Sequence, residues 1–233
     1  MKIKGYLKSS FIDYPDKIAS VIFLGGCNYR CPYCHNGELV HNDDCGLIDL
    51  DDIRAHIKKR KGIIDGVVVT GGEPTLSKGI VGFLEELRET GISVKLDTNG
   101  SRPEVLREII GKGLVDYLAM DVKSSLEGYN KAIGHKTFDE NTVMKSIKYI
   151  RDSGVPYEFR TTLVKELHPE IDIMGVGALL DGSDKLVLQQ YNSSEKELTD
   201  NAFTYYTVEE MNLFKAKLEQ DYSFDKVDVR GRF

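Results

Sequence analysis

The stretch Gly25-Gly26-Cys27-Asn28-Tyr29-Arg30-Cys31-Pro32-Tyr33-Cys34 constrains this chain more than any other. Three of the four cysteines stand within eight residues, spaced C-x3-C-x2-C, directly after an apolar run over residues 18–24 that reads as a strand. Thiolates are soft ligands suited to zinc and iron–sulfur centres, and iron–sulfur clusters are held by cysteines this closely spaced. Three thiolates leave one iron of a 4Fe–4S cube open to an outside ligand. A structural zinc site closed by Cys45 or His35 is a second reading, because such sites take four protein ligands. Buried inert thiols are a third, although three in eight residues on a Gly-Gly loop would be a coincidence. A disulfide framework suits neither a chain long enough for a real core nor an N-terminus without a signal-like apolar run.

At 233 residues the chain fits one α/β unit over residues 1–233, with a short lead-in over 1–16 and a C-terminal helix and tail over about 207–233. A net charge of −6 argues against coating nucleic acid or an anionic membrane. No apolar run approaches the ~20 residues of a membrane-spanning helix. Free thiols point to a reducing, cytoplasmic setting.

Strand and helix patterns alternate along the chain, which predicts βαβ units and a parallel sheet. Strands are expected at 18–24, 66–70, 93–97, 117–122, 157–163 and 185–190, with a last extended piece at 226–229. Asp49 is a good cap for a first helix carrying Leu50, Ile53 and Ile57 on one face. Further helices are expected at 78–90, 103–111, 141–153, 169–180 and 208–219, and 36–46 reads as irregular. Six β/α units fall short of a complete barrel of about 250 residues. The expected fold is therefore α/β, a partial (β/α)6 TIM-like barrel with parallel strands, whose ligands sit at the carboxyl ends of the strands.

Chemistry-bearing residues gather at those ends. Gly71-Gly72-Glu73-Pro74 follows the second strand, where glycines let backbone approach a ligand or simply make a turn. Asp97-Thr98-Asn99-Gly100 ends the third and is a good turn in its own right. Asp121 and Lys123 alternate at the end of the fourth, so both point one way, as a salt bridge or as an acid and a base for a zwitterion. Arg160, on the fifth, can bind a carboxylate bidentately. Gln189-Gln190-Tyr191 ends the sixth. His41, His56, His135 and His168 show no mutual spacing for a metal, and the Gly-Gly turn lacks the G-K-S/T ending of a phosphate loop.

C-x3-C-x2-C with an aromatic, Tyr33, before its last cysteine resembles the cluster loop of the radical S-adenosylmethionine enzymes. Ser10-Phe11-Ile12-Asp13-Tyr14-Pro15 upstream, and Cys31-Pro32-Tyr33-Cys34-His35-Asn36-Gly37-Glu38-Leu39-Val40 downstream, resemble the glycyl-radical-enzyme activases, especially the type serving anaerobic ribonucleoside-triphosphate reductase. The resemblance implies that Cys27, Cys31 and Cys34 hold a 4Fe–4S cluster whose open iron takes S-adenosylmethionine. It implies that Gly71, Gly72 and Glu73 meet the methionine amino group and that Tyr33 packs on the adenine. By the same resemblance Asp97, Thr98 and Asn99 lie beside the cofactor, with a monovalent cation near Asp97 and Asp121. Asp121 then serves the amino group, ribose or cation, and Lys123 the carboxylate. Arg160 and Gln190 are further candidates, although glutamines stand where pyruvate formate-lyase activases carry a histidine.

The implied reaction cleaves the cofactor reductively and takes a hydrogen atom from a glycine Cα of a partner enzyme, with a flavodoxin- or ferredoxin-type protein as electron donor. Alternatives are an activase of a different glycyl radical enzyme, a small-molecule enzyme such as 7-carboxy-7-deazaguanine synthase, and an electron-transfer iron–sulfur protein.

Overall fold

The computed structural model describes residues 1–41, 43–193, 198–199 and 203–231; the last two residues of the expected tail, and one residue of the expected irregular segment 36–46, lie outside the described residues. β1 (Ile3–Ser10) runs antiparallel to β2 (Ala19–Leu24). From β2 onward every neighbour is parallel and the strands add in chain order: β3 (Gly66–Gly71), β4 (Ser93–Thr98), β5 (Tyr117–Asp121), β6 (Tyr157–Leu163), β7 (Lys185–Gln190) and β8 (Lys226–Arg230). Parallel neighbours need crossover connections, and helices supply them. After β2 come α1 (Gly37–Val40) and α2 (Leu50–Lys59), after β3 comes α3 (Ile80–Glu89), and after β4 comes α4 (Pro103–Gly111). After β5 come α5 (Tyr129–Ile133) and α6 (Glu140–Arg151), then α7 (Glu170–Leu180) after β6 and α8 (Val208–Asp221) after β7.

The sheet begins at β1 and ends at β8, which are not neighbours, so the six β/α units form an open, partial TIM-like barrel. Three expectations need correcting. The segment 36–46, expected to be irregular, carries the short helix α1 at Gly37–Val40. The lead-in over 1–16 holds an edge strand, β1, and the final extended piece is a full parallel strand, β8, in register with β7 from Lys185↔Lys226 to Gln189↔Arg230.

Local chemistry explains the helix boundaries. Asp49 caps α2 by accepting from the Asp51 amide at 2.8 Å, and Thr207 with Glu210 closes a capping box at α8. Ile53, Ile57, Phe83, Leu84, Leu87, Leu106 and Ile109 are buried as their helical spacing predicts, with Leu50 and Ile110 partly buried at the margins.

Register decides which side chains share a face of the sheet. Ile22, Val69, Leu96, Leu118, Phe159 and Leu188 lie on the outer face, under the helices, in the main apolar core. On the inner face Val21, Val68, Lys95 and Tyr117 stand side by side across β2 to β5, and Asp97, Ala119 and Glu158 across β4 to β6. The inner face thus has a small apolar floor, Tyr14, Ala19, Val21 and Val68, and above it a charged network. A closed (β/α)8 barrel fills that space with branched apolar side chains. Here the turn after β1 fills the lower end: Tyr14 is buried there, and the Asp13 carbonyl accepts from Lys95 Nζ at 2.6 Å.

Candidate active site

The cysteine loop leaves β2 and is fixed to its neighbours by backbone bonds. The Gly26 amide donates to the Leu39 carbonyl at 2.8 Å, and the Gly26 carbonyl accepts from the Glu73 amide at 2.8 Å. The Gly72 amide donates to the Leu24 carbonyl at 2.8 Å. This approach is what requires the two glycines. A Cβ on Gly72 would lie 2.3 Å from the Gly26 carbonyl oxygen, and one on Gly71, at φ +124°, would lie 2.3 Å from the Leu24 amide nitrogen. Both glycines line the cavity, pressed against the chain's own cysteine loop.

Cys27, Cys31 and Cys34 are free thiols on one wall of a cavity of about 530 Å³ at the carboxyl ends of the strands. Burial pushes the Cys27 thiol up to about 11 and the Cys31 thiol up to about 12. Metal ligation, which takes a thiol as thiolate, must offset that penalty. The Cys27 sulfur already receives the Tyr29 amide at 3.4 Å and the Asn99 side-chain amide at 3.8 Å. Three soft donors facing one cavity fit an iron–sulfur cluster. Among the described residues no three His, Cys, Asp or Glu side chains gather closely enough for a single metal ion. Cys45 is exposed and stands apart from the cavity lining, while exposed His35 is at its edge.

Across the cavity stands a charged chain. Asp121 accepts from Arg160 Nε at 2.8 Å and from Lys123 Nζ at 3.0 Å. Asp97 lies 2.9 Å from Lys95 Nζ and 3.3 Å from Arg160 Nη1. Burial works to raise the Asp121 carboxyl, but Arg160 and then Lys123 outweigh it and hold it below the usual carboxylate range. Burial likewise works to lower Lys123, and Asp121 outweighs it, so the ammonium stays charged. Arg160 bridges the two carboxylates to which the resemblance assigns a monovalent cation. Its guanidinium is therefore engaged by two protein acids, and the Lys123 ammonium by one.

Of the other expected ligand residues, Thr98, Gln190 and Tyr33 line the cavity and Glu73 does not. Glu73 is fully buried and its carboxylate is consumed by protein donors. Oε1 accepts from the Thr75 amide at 3.0 Å, the Thr75 hydroxyl at 2.5 Å and the Thr98 hydroxyl at 2.8 Å, and Oε2 from the Asn99 amide at 2.6 Å. Glu73 and Thr98 together tie the ends of β3 and β4, with Thr98 lining the cavity and Glu73 set behind it. Gln190 alternates to the outer side of β7 and donates its amide to the Tyr206 carbonyl at 2.9 Å, while its neighbour Gln189 faces inward beside Thr162. Tyr33 is buried with its ring edge-on to His168, centroids 5.7 Å apart, and its hydroxyl has no partner among the described residues. Asn99 reaches Asn28 as well as Cys27, joining the D-T-N-G turn to the cysteine loop.

Sequence reasoning passed over Lys95, which pairs with Asp97 on the inner face, and gave Asp13, which lines the cavity, no role of its own. It named Gln189 together with Gln190, and strand alternation, which puts Gln189 in phase with Lys185, separates the two. A second groove, about 610 Å³, lies between α2 and α3, floored by Ile57, Ile64, Phe83 and Leu87, away from this chemistry.

Residues 21–172 match the family model of the Radical SAM superfamily. A protein of Methanocaldococcus jannaschii provisionally named a glycyl-radical enzyme activating enzyme is 34% identical over 203 residues, covering 83% of this chain and 81% of its own. The pyruvate formate-lyase-activating enzyme of Streptococcus mutans is 29% identical over 182 residues, 71% of this chain and 68% of that one. Among solved structures, Streptococcus suis SuiB bound to precursor peptide SuiA superposes with a TM-score of 0.70 at 16% identity over 91% of this chain, which spans 48% of SuiB, and so attests the fold. The chain belongs to the radical S-adenosylmethionine superfamily, enzymes that work with a 4Fe–4S cluster and S-adenosylmethionine, and within it to the glycyl-radical-enzyme activating group.

Proposed function

We propose that this enzyme installs a glycyl radical on a partner protein, and that the partner is anaerobic ribonucleoside-triphosphate reductase. The observation that carries the reaction is the similarity to the M. jannaschii protein over four-fifths of its length. The choice of partner rests on the residues around the cysteine loop, Cys31-Pro32-Tyr33-Cys34-His35-Asn36. The unjoined edges β1 and β8 support a polypeptide substrate, because an open sheet leaves a side by which a loop can reach the cavity.

Cys27, Cys31 and Cys34 hold the cluster. When bound, cluster and S-adenosylmethionine supply a carbon-centred radical by one-electron cleavage of a carbon–sulfur bond. The chain's own residues bind and orient. Lys123 receives the methionine carboxylate, Asp121 the amino group or ribose, and Arg160 pairs with Asp97 and Asp121 and holds both in place. Tyr33 bounds the adenine side, and its unpartnered buried hydroxyl is free to bond the ligand. Glycine suits as target because its Cα is unshielded, and its hydrogen atom would pass to the radical that the bound cofactor would supply. The electron comes from a flavodoxin- or ferredoxin-type donor in a reducing cytoplasm, consistent with four free thiols.

The test is anaerobic: cluster-loaded enzyme, S-adenosylmethionine, reductant and the reductase, read by EPR. A glycyl doublet that vanishes in Cys31→Ala supports both reaction and partner. Release of 5′-deoxyadenosine without a doublet removes this partner, and neither signal from fully loaded protein removes the reaction.

A further inference from the structure

His168 lies in the turn between β6 and α7, is 1% exposed, and uses both ring nitrogens on backbone. Nδ1 is 3.0 Å from the Val164 amide nitrogen, and Nε2 is 2.7 Å from the Lys123 carbonyl oxygen. An amide can only donate and a carbonyl can only accept, so the partners assign one neutral tautomer with the proton on Nε2. Its burial favours the same neutral form and lowers the ring's tendency to protonate.

The two backbone groups it joins end adjacent strands. Val122 is still held by β6, its amide donating to the Arg160 carbonyl at 2.9 Å and its carbonyl accepting from the Thr161 hydroxyl at 2.9 Å. One residue further the ladder stops, and the Lys123 carbonyl is taken by His168. The imidazole also carries the ring of Tyr33, which sits between two cluster cysteines, and its own carbonyl is fixed by the Tyr206 hydroxyl at 2.8 Å. One side chain therefore touches the end of β5, the end of β6 and the cysteine loop.

We propose that His168 is a positioning residue for cofactor binding: by holding the Lys123 backbone where β5 leaves the sheet, it keeps the Lys123 ammonium aimed at the carboxylate of S-adenosylmethionine. This rests on the role of Lys123 proposed above. The geometry also separates the two halves of the imidazole. An asparagine amide reaches only as far as Nδ1 and preserves the bond to Val164. A glutamine amide reaches the position of Nε2 and preserves the bond to Lys123.

The experiment measures the dissociation constant of S-adenosylmethionine for cluster-loaded full-length protein by equilibrium dialysis, with iron content and thermal midpoint determined for each variant. Lys123→Met is expected to weaken binding at least tenfold. His168→Asn is expected to weaken it about tenfold, the loss of one buried hydrogen bond to a ligand-bearing segment, while His168→Gln stays within about threefold of the parent. Asparagine and glutamine variants that bind alike overturn the proposal, as does an asparagine variant that binds like the parent while Lys123→Met does not. Loss of iron in both assigns His168 to the cysteine loop through Tyr33 and also overturns it. If Lys123→Met itself binds normally, the role of Lys123 fails, and the proposal with it.

Discussion

Glu73→Gln separates what the sequence suggests from what the structure shows. The sequence points Glu73 at the methionine amino group, whereas the structure surrounds its carboxylate with the Thr75 amide, the Thr75 and Thr98 hydroxyls and the Asn99 amide. A glutamine keeps the shape but offers one acceptor oxygen and one NH2. If the oxygen stays with the threonine donors, the NH2 meets the Asn99 amide, at the 2.6 Å position, donor against donor. A lost charge-assisted bond and a buried amide left without an acceptor each cost about 1–3 kcal/mol. Relief of the buried charge, which burial raises in pKa, returns part of that. The net expectation is a loss of about 2–3 kcal/mol, a fall in thermal midpoint of roughly 5–10 °C for a chain of this size. Thermal and urea unfolding of metal-free protein measure it, so no cofactor enters the readout. A Glu73→Gln protein as stable as the parent, yet unable to bind S-adenosylmethionine when loaded with cluster, would refute the strut and restore Glu73 as a ligand.

Gly72→Ala places a Cβ 2.3 Å from the Gly26 carbonyl oxygen, so the two loops must part. It is expected to cost more than about 2 kcal/mol and to lower iron content on anaerobic reconstitution. Cys45→Ser is expected to leave iron content unchanged, while Cys34→Ser lowers it, because Cys45 is exposed and outside the cavity lining. For pH dependence, burial pushes the Glu158 carboxyl up from 4.5, but Arg230, with Arg160 and Lys185, outweighs it and sets it at about 2. A depressed carboxyl contributes stability above its unfolded pKa and loses it as pH falls from about 4.5 through about 2. Arg230→Met therefore raises Glu158, removes about 1–2 kcal/mol at neutral pH after screening of the partly exposed guanidinium, and moves the acid-unfolding midpoint upward. A circular-dichroism titration that leaves the midpoint in place would count against this assignment.

The parallel strands and the helix faces were legible because each is a local pattern. Gly66-Val67-Val68-Val69 is a β-branched run whatever surrounds it, and Ile80, Phe83, Leu84 and Leu87 mark one stripe at helical spacing. β1 was not legible, since Lys4, Lys8 and the serines read as a solvated lead-in and become a strand only through pairing with β2. The cysteines were legible because three close thiols on one loop serve few purposes besides ligating a metal centre. Glu73 was not, for its four donors come from residues up to twenty-six positions away. The choice between Gln189 and Gln190 depends on strand phase, where one residue reverses the face. His168 shows nothing in sequence, because its two partners are backbone atoms.

The charged inner face accounts for the presence of such residues on strands that look wholly buried. The outer face gains its stability from apolar contact with the helices, so the inner face is free of that duty and closed below by Tyr14. Buried charges persist there only if paired. Lys95 with Asp97, Arg160 with both aspartates, and Lys123 with Asp121 pair them. Of these cations Lys123 stands beyond the end of its strand, on the residue the sheet itself no longer holds, and a single acid, Asp121, pairs with it. A carboxylate ligand is a second acid for that ammonium, which is why loosening the Lys123 backbone is expected to act on cofactor affinity before it acts on stability.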